Sequence, residues 1–198
     1  MPGVGEIEAS LVDIGNAHVF IRARDVGLVG TESPAEIDRD RGLLDRLERI
    51  RGAGAFRMGM ATSGEAARHE TPATPILGIV SPPSSYVGHL DGVTVAAADV
   101  DLVARVLFMQ ITHKTYAGTS TACTGVAARI PGSIVYEMLR ESARDRVEIK
   151  IGHPAGVIDT ESEVVLAGAG RNHGGRRATL GRTARRILDG TVYLDEAV

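Results

Sequence analysis

HKTYAGTSTACTGVAARIP, residues His113 to Pro131, is the stretch whose reading decides the fold. Upstream lies a strand-like run, Val103 to Ile111 (VARVLFMQI), and downstream Ile130-Pro131-Gly132 stops any helix sharply. Ala122, Cys123, Gly125, Val126, Ala127 and Ala128 are small or apolar on nearly every face, the pattern of a helix buried all round. Its start, around Thr119, Ser120 and Thr121, is rich in hydroxyls, with His113 and Lys114 just upstream. A helix start leaves backbone N–H groups unpaired and carries partial positive charge, so this end suits a carboxylate or phosphate. The plainer reading is a core helix with an ordinary Thr or Ser cap.

Working outward, Ile7 to Ile21 reads as strand, Gly15-Asn16 turn, strand. Ser33-Pro34-Ala35-Glu36 is a capping box with proline at the first helical position. It opens a helix from Ser33 to Arg51, whose stripe of Ile37, Leu43, Leu44, Leu47 and Ile50 faces a core. Gly52 or Gly54 is expected to end it, and its charges to form a solvated face. Residues 52–75 form a Gly- and Ala-rich connection, with Met58-Gly59-Met60 a candidate flexible lining. Ile76 to Val80 is a buried strand, Val93 to Val95 a brief one, and Val100 to Ile111 a longer one.

After Pro131, Ser133 to Tyr136 reads as extended, and Val147 to Ile151 alternates as a half-buried strand. Gly152-His153-Pro154-Ala155-Gly156 is a turn with exposed amides, capable of acting as an anion nest. Gly168-Ala169-Gly170 reads as a hairpin loop, Ala178 to Ile187 as a strand carrying Arg182, Arg185 and Arg186, and Val192 to Leu194 as the final strand. Strands dominate around two helices, which gives an α+β class in a single domain over residues 1–198.

An apolar fraction of 43% supports a real core, while 4% aromatics leave its packing to aliphatics and alanine. A formal net charge of −3 gives no general pull toward nucleic acid or anionic membrane. One cysteine rules out an internal disulfide and fits a cytoplasmic protein. The six histidines fall in no metal-ligand spacing, and there is no P-loop or nucleophile elbow. Cys123 reads either as a low-pKa thiolate near a helix start or as a small core residue. The best candidate site is an anion cradle of His113, Lys114, Thr119, Ser120 and Thr121, closed by Gly152, His153 and Gly156.

Five phrases in order resemble one family: Val12 to Ile21, the helix from Ile37 to Arg51, His113 to Ser133, Ile151 to Gly156, and the RTARRILDGTVYL run ending at Leu194. That family is PrpF, which includes 2-methylaconitate cis–trans isomerase and 4-oxalomesaconate tautomerase. The resemblance implies a diaminopimelate-epimerase-like fold of two halves, each a sheet wrapped around a central helix, with the active site between them. It also implies a cofactor-independent proton shift in an unsaturated di- or tricarboxylic acid. The phrases match the C-terminal half only. The family's lysine and cysteine acid–base pair belongs to the other half, and Lys114, Lys150 and Cys123 match neither setting. This leaves three expectations. The chain is an isomerase domain whose catalytic half lies on another chain or is lost; or it is a non-catalytic carboxylate-binding or structural remnant; or it forms a homodimer that rebuilds a site from Cys123 and His113. The implied partners are a small di- or tricarboxylate and a second copy or a separate N-terminal half.

Overall fold

The computed structural model describes residues 5–165, 174–181 and 186–191. β1 (Ser10–Ile14) and β2 (Asn16–Arg22) form a tight antiparallel hairpin around Gly15, whose φ of 69° suits glycine. The connection from β2 to its parallel neighbour β3 (Ile76–Ser81) carries α1 (Pro34–Arg39), α2 (Arg41–Arg57) and the single turn α3 (Ala67–Glu70). β4 (Tyr86–Val87) and β5 (Thr94–Val95) pair in a small separate ribbon. β6 (Leu102–Phe108) turns back at once into β7 (Ile111–Thr112). Then come α4 (Gly118–Ala127), α5 (Ile134–Met138), β8 (Glu148–His153), β9 (Gly156–Val165) and β10 (Gly174–Leu180). The main sheet runs β1-β2-β3-β6-β8-β9-β10, with β7 on the end of β6, and is antiparallel except at β2/β3 and β6/β8.

Alternation along the strands gives the sheet two apolar faces. Phe20, Val80, Leu102, Ala104, Val106, Ile149 and Ile151 meet Cys123 and Ala127 of α4 and Val135 of α5. On the other face, Val19, Ile21, Leu77, Ile79 and Leu107 meet Ile37 of α1 and Leu44, Leu47 and Ile50 of α2. α4 packs against β9 and β10 as well as β1 and β2, so the sheet curls around it from both ends. This is the α+β sheet around a buried helix that the small-residue run from Thr119 predicts.

Several expectations are corrected. The first helical region is two helices, broken at Asp40, which caps α2 by accepting from Leu43 N at 2.9 Å. α1 does carry the full Ser33/Glu36 capping box. α2 runs on to Arg57, past both glycines, which here permit close approach: a Cβ on Gly52 would fall 2.1 Å from Gly64 O, and one on Gly54 would fall 2.3 Å from Val19 Cγ2. Its charged face is not wholly solvated. Glu48 and Arg51 are buried as a pair at 2.7 Å, and Arg51 also donates to the carbonyls of Ala67, Thr71 and Thr74. That clamp orders the 58–75 connection. Met58-Gly59-Met60 is the turn that closes α2, with Met58 N donating to Gly54 O and Met60 N to Ala55 O, each at 2.9 Å.

The expected strand through Ile111 is interrupted by Met109 and Gln110, at φ 51° and 68°. This two-residue hairpin matches the sheet twist but uses neither Gly nor Asn. Ser133 to Tyr136 is helical rather than extended, because Ser133 Oγ caps α5 by accepting from Tyr136 N at 3.1 Å. The last described strand is Gly174–Leu180, and Arg186 lies beyond it outside any strand. Gly168 to Gly170, Arg182, Arg185 and Val192 to Leu194 lie outside the described residues. Among the described residues, no helix is long and apolar enough to cross a membrane.

Candidate functional site

α4 begins at Gly118 with Ala117 as its N-cap, and no side chain caps it. The expected hydroxyl cap is therefore absent, because the three hydroxyls are placed elsewhere. Ser120 Oγ lies 2.9 Å from His18 Nε2, and Thr121 Oγ1 donates to Ala117 O at 3.0 Å. Thr119 is exposed. Beside this helix start is a cavity of about 260 Å³, lined by Asn16, Ile76, Val106, Phe108, His113, Ala117, Thr119 and Ser120. Its floor is the end of the sheet, and one wall is the loop leading into α4.

His113 is anchored by its own N–H, which donates to Val106 O at 2.8 Å. Its Nδ1 accepts from Thr115 N at 3.1 Å, so the neutral ring carries its proton on Nε2 as a donor. Lys114 is exposed on the same loop and is not part of the cavity lining. Thr121 is buried, with its hydroxyl turned back along the helix. The structure thus brings His113, Thr119 and Ser120 together and leaves Lys114 at the periphery.

The Gly152 to Gly156 turn is not in the cavity lining. A Cβ on Gly152 would lie 3.0 Å from Tyr86 Oη, on the face of the sheet away from α4. His153 faces the α4 side, where its ring stacks on Tyr116 at 6.3 Å between centroids. Tyr116 in turn shares a 2.9 Å hydrogen bond with Thr124 of α4. The β8–β9 turn therefore supports α4 through Tyr116, and Tyr86 Oη holds the turn at the carbonyls of His153 (2.9 Å) and Gly156 (2.6 Å).

Cys123 is fully buried, and its Sγ points at Val12 O, 3.7 Å away. Burial pushes its thiol up to about 12, so it is a packed thiol and not a thiolate. His18 is the residue that sequence reasoning missed. It sits at 0% exposure in β2, one of six consecutive buried residues, and burial pulls it down to about 4. The usable signal was a histidine within the run Ala17 to Ile21, otherwise apolar, two places before Phe20 and on the same face.

A larger surface cleft of about 990 Å³ lies between α2 and residues 63–68, around Phe56. Its acids and arginines are interspersed, with Arg68 and Asp45 paired at 3.4 Å, and it is remote from α4. Among the described residues, no group of three or more His, Cys, Asp or Glu could hold a metal ion.

Comparison with known proteins turns this geometry into a family. The model of the family described as PrpF protein matches residues 1–195. The chain belongs to the PrpF family. It is 46% identical over 193 residues to the 3-methylitaconate isomerase of Eubacterium barkeri, covering 98% of this chain and 49% of that protein. It is 35% identical over 197 residues to the 2-methyl-aconitate isomerase of Shewanella oneidensis, covering 97% and 47%. A crystal structure of methylitaconate-delta-isomerase superposes with a TM-score of 0.79 at 41% identity, over 90% of this chain and 47% of that one. The fold is thus that of a PrpF, diaminopimelate-epimerase-like protein, and the chain spans about half the length of the relatives it matches.

Proposed function

We propose that this PrpF-family chain provides the carboxylate-binding wall of an isomerase that shifts a double bond in an unsaturated di- or tricarboxylic acid. The observation carrying this reading is the cavity at the uncapped start of α4, with His113, Thr119 and Ser120 in its lining. The first amides of α4 and its dipole favour a carboxylate there. His113 Nε2–H and the Thr119 hydroxyl are further donors, and Lys114 adds long-range attraction from the rim. Removing a proton next to a carboxylate spreads negative charge onto that carboxylate, so donors fixed at its oxygens assist the step.

A proton shift also needs a base and an acid within reach of the reacting carbons. In this reading the chain corresponds to the C-terminal half of the family fold, and a second half, on the same polypeptide or another chain, supplies that pair. No cofactor is required. The tip of the β6–β7 hairpin exposes Phe108, Met109 and Ile111 next to the cavity and suits such a partner, whether a second half or a second copy. A chain that binds carboxylates without converting them is a second reading, favoured by its only cysteine being a buried, protonated thiol.

The test is calorimetric titration of tricarballylate into the wild type, a Lys114→Ala/Thr119→Val double variant, and Cys123→Ser. The Thr119 hydroxyl is one charged hydrogen bond, worth roughly 1.5–3 kcal/mol, and Lys114 adds attraction from the rim, so the double variant is expected to bind at least about tenfold more weakly. Cys123→Ser should bind as the wild type does. Unchanged affinity in the double variant refutes the cradle. Turnover of an aconitate-like acid by the chain alone would refute the need for a second half.

A further inference from the structure

His18 has its two ring nitrogens held by partners of different kinds. Nδ1 lies 2.7 Å from Asn16 O, and Nε2 lies 2.9 Å from Ser120 Oγ. A carbonyl oxygen only accepts, so Nδ1 carries the ring proton. In the neutral ring Nε2 is then a lone pair, and it takes the single hydroxyl proton of Ser120. The opposite tautomer would set two lone pairs against each other at 2.7 Å, at a ring that is itself fully buried. Stacking on Phe20, at 5.3 Å and 12°, stops the ring from turning away.

Burial keeps the ring neutral down to about pH 4. Asp13 on β1 is the charged group whose field reaches it; α4 presents the uncharged Ser120, and His113 lines the same cavity from the loop. Ser120 borders the cavity at 0% exposure, and with its proton committed to His18 its oxygen has only lone pairs left for a ligand that presses against it.

We propose that His18 is a positioning residue whose grip on the Ser120 hydroxyl makes that oxygen an acceptor toward the cavity, so that an ionised carboxylate settles there only together with one proton. The proposal rests on the reading of the cavity as a carboxylate site and deepens it. The proton ends in one of two places. It sits on the ligand oxygen, which then donates to Ser120 Oγ, or it sits on His18 Nε2, which frees the serine proton to turn toward the carboxylate. The balance is the same in both: one proton taken up per ligand bound. Affinity therefore rises as pH falls.

The first measurement needs no ligand. Imidazole ¹⁵N shifts of the labelled chain at pH 7, assigned by the signal missing in His18→Gln, should show a neutral ring protonated on Nδ1. Protonation on Nε2, or an imidazolium, overturns the proposal. The second is calorimetric titration of tricarballylate in phosphate and in Tris, whose protonation enthalpies differ. The wild type should take up close to one proton per ligand, and His113→Gln should retain that uptake. His18→Gln, whose amide can accept or donate at the same position, should bind without it. His18→Leu releases the Ser120 proton to the carboxylate, so it too should bind without uptake, and about tenfold more tightly than the wild type at pH 8, one charged hydrogen bond being gained. Binding without uptake in the wild type, or equal uptake in His18→Gln, overturns the proposal. If tricarballylate does not bind at all, the carboxylate reading fails, and the ¹⁵N spectrum alone decides the role of His18.

Discussion

Gly54→Ala sets two opposed terms against each other. Within a helix, alanine is favoured over glycine by about 1 kcal/mol. At this point of α2, however, the new Cβ would sit 2.3 Å from Val19 Cγ2 and 3.3 Å from its Cγ1. Val19 is completely buried in β2, and a β-branched side chain in a strand has little freedom to turn aside. Overpacking at a closed site costs typically 1–3 kcal/mol, and a contact this short belongs at the upper end. The net expectation is a loss of about 2 kcal/mol, read from the midpoint of urea denaturation followed by far-UV circular dichroism. Gly42→Ala, in the first turn of the same helix, meets only Asp40 Oδ1 at 3.4 Å and should be neutral or stabilising. Adding Val19→Ala to Gly54→Ala should restore part of the loss, with a coupling of about 1 kcal/mol or more. Val19 and His18 are neighbours on opposite faces of β2, so pressure from α2 is also expected to disturb the His18–Ser120 contact. The proton uptake that accompanies tricarballylate binding should then fall in Gly54→Ala and hold in Gly42→Ala. A Gly54→Ala chain as stable as the wild type refutes the packing argument.

Three further outcomes follow from the same structure. His18 is held near 4 when folded, against an ordinary 6.5, so on acidification the unfolded chain takes up that proton first. Its share of stability is complete above about pH 6.5 and is lost as pH falls toward 4, by about 3 kcal/mol; denaturation curves of His18→Gln should lack that component. Cys123, buried and protonated, should resist alkylation by iodoacetamide at pH 8 in the native chain and react at once in urea; fast native labelling would contradict its burial. Ser133→Ala removes both the cap on Tyr136 N and the 2.6 Å bond to Ala127 O, and should cost about 1–2 kcal/mol by denaturation.

The buried helix was legible because Ala122 to Ala128 carry nothing that needs water, and the α+β class followed from the strand patterns around it. Other features depended on contacts distant in sequence. Ile134 and Val135 are β-branched and suggest a strand, but the Ser133 cap and the core behind α5 make them helical. Gly52 and Gly54 look like helix stops until Gly64 and Val19 are seen pressed against them. The turn at Met109 and Gln110 has no residue that announces a left-handed backbone. At the site, His113, Thr119 and Ser120 were readable because they lie within eight residues of one another. The His18–Ser120 bond spans a separation of 102 positions, and nothing local to either residue points to the other.

The sheet reaches α4 from both of its ends, through β1 and β2 on one side and β9 and β10 on the other. For hydrogen exchange, this means that the amides in the middle of α4 cannot meet solvent through fraying of a single edge strand. Both ends of the sheet would have to let go first, so those amides should exchange only through opening of the whole domain. The slowest protons in the molecule would then lie a few residues from its ligand-facing helix start, and their rate would track global stability rather than the local motions of the site.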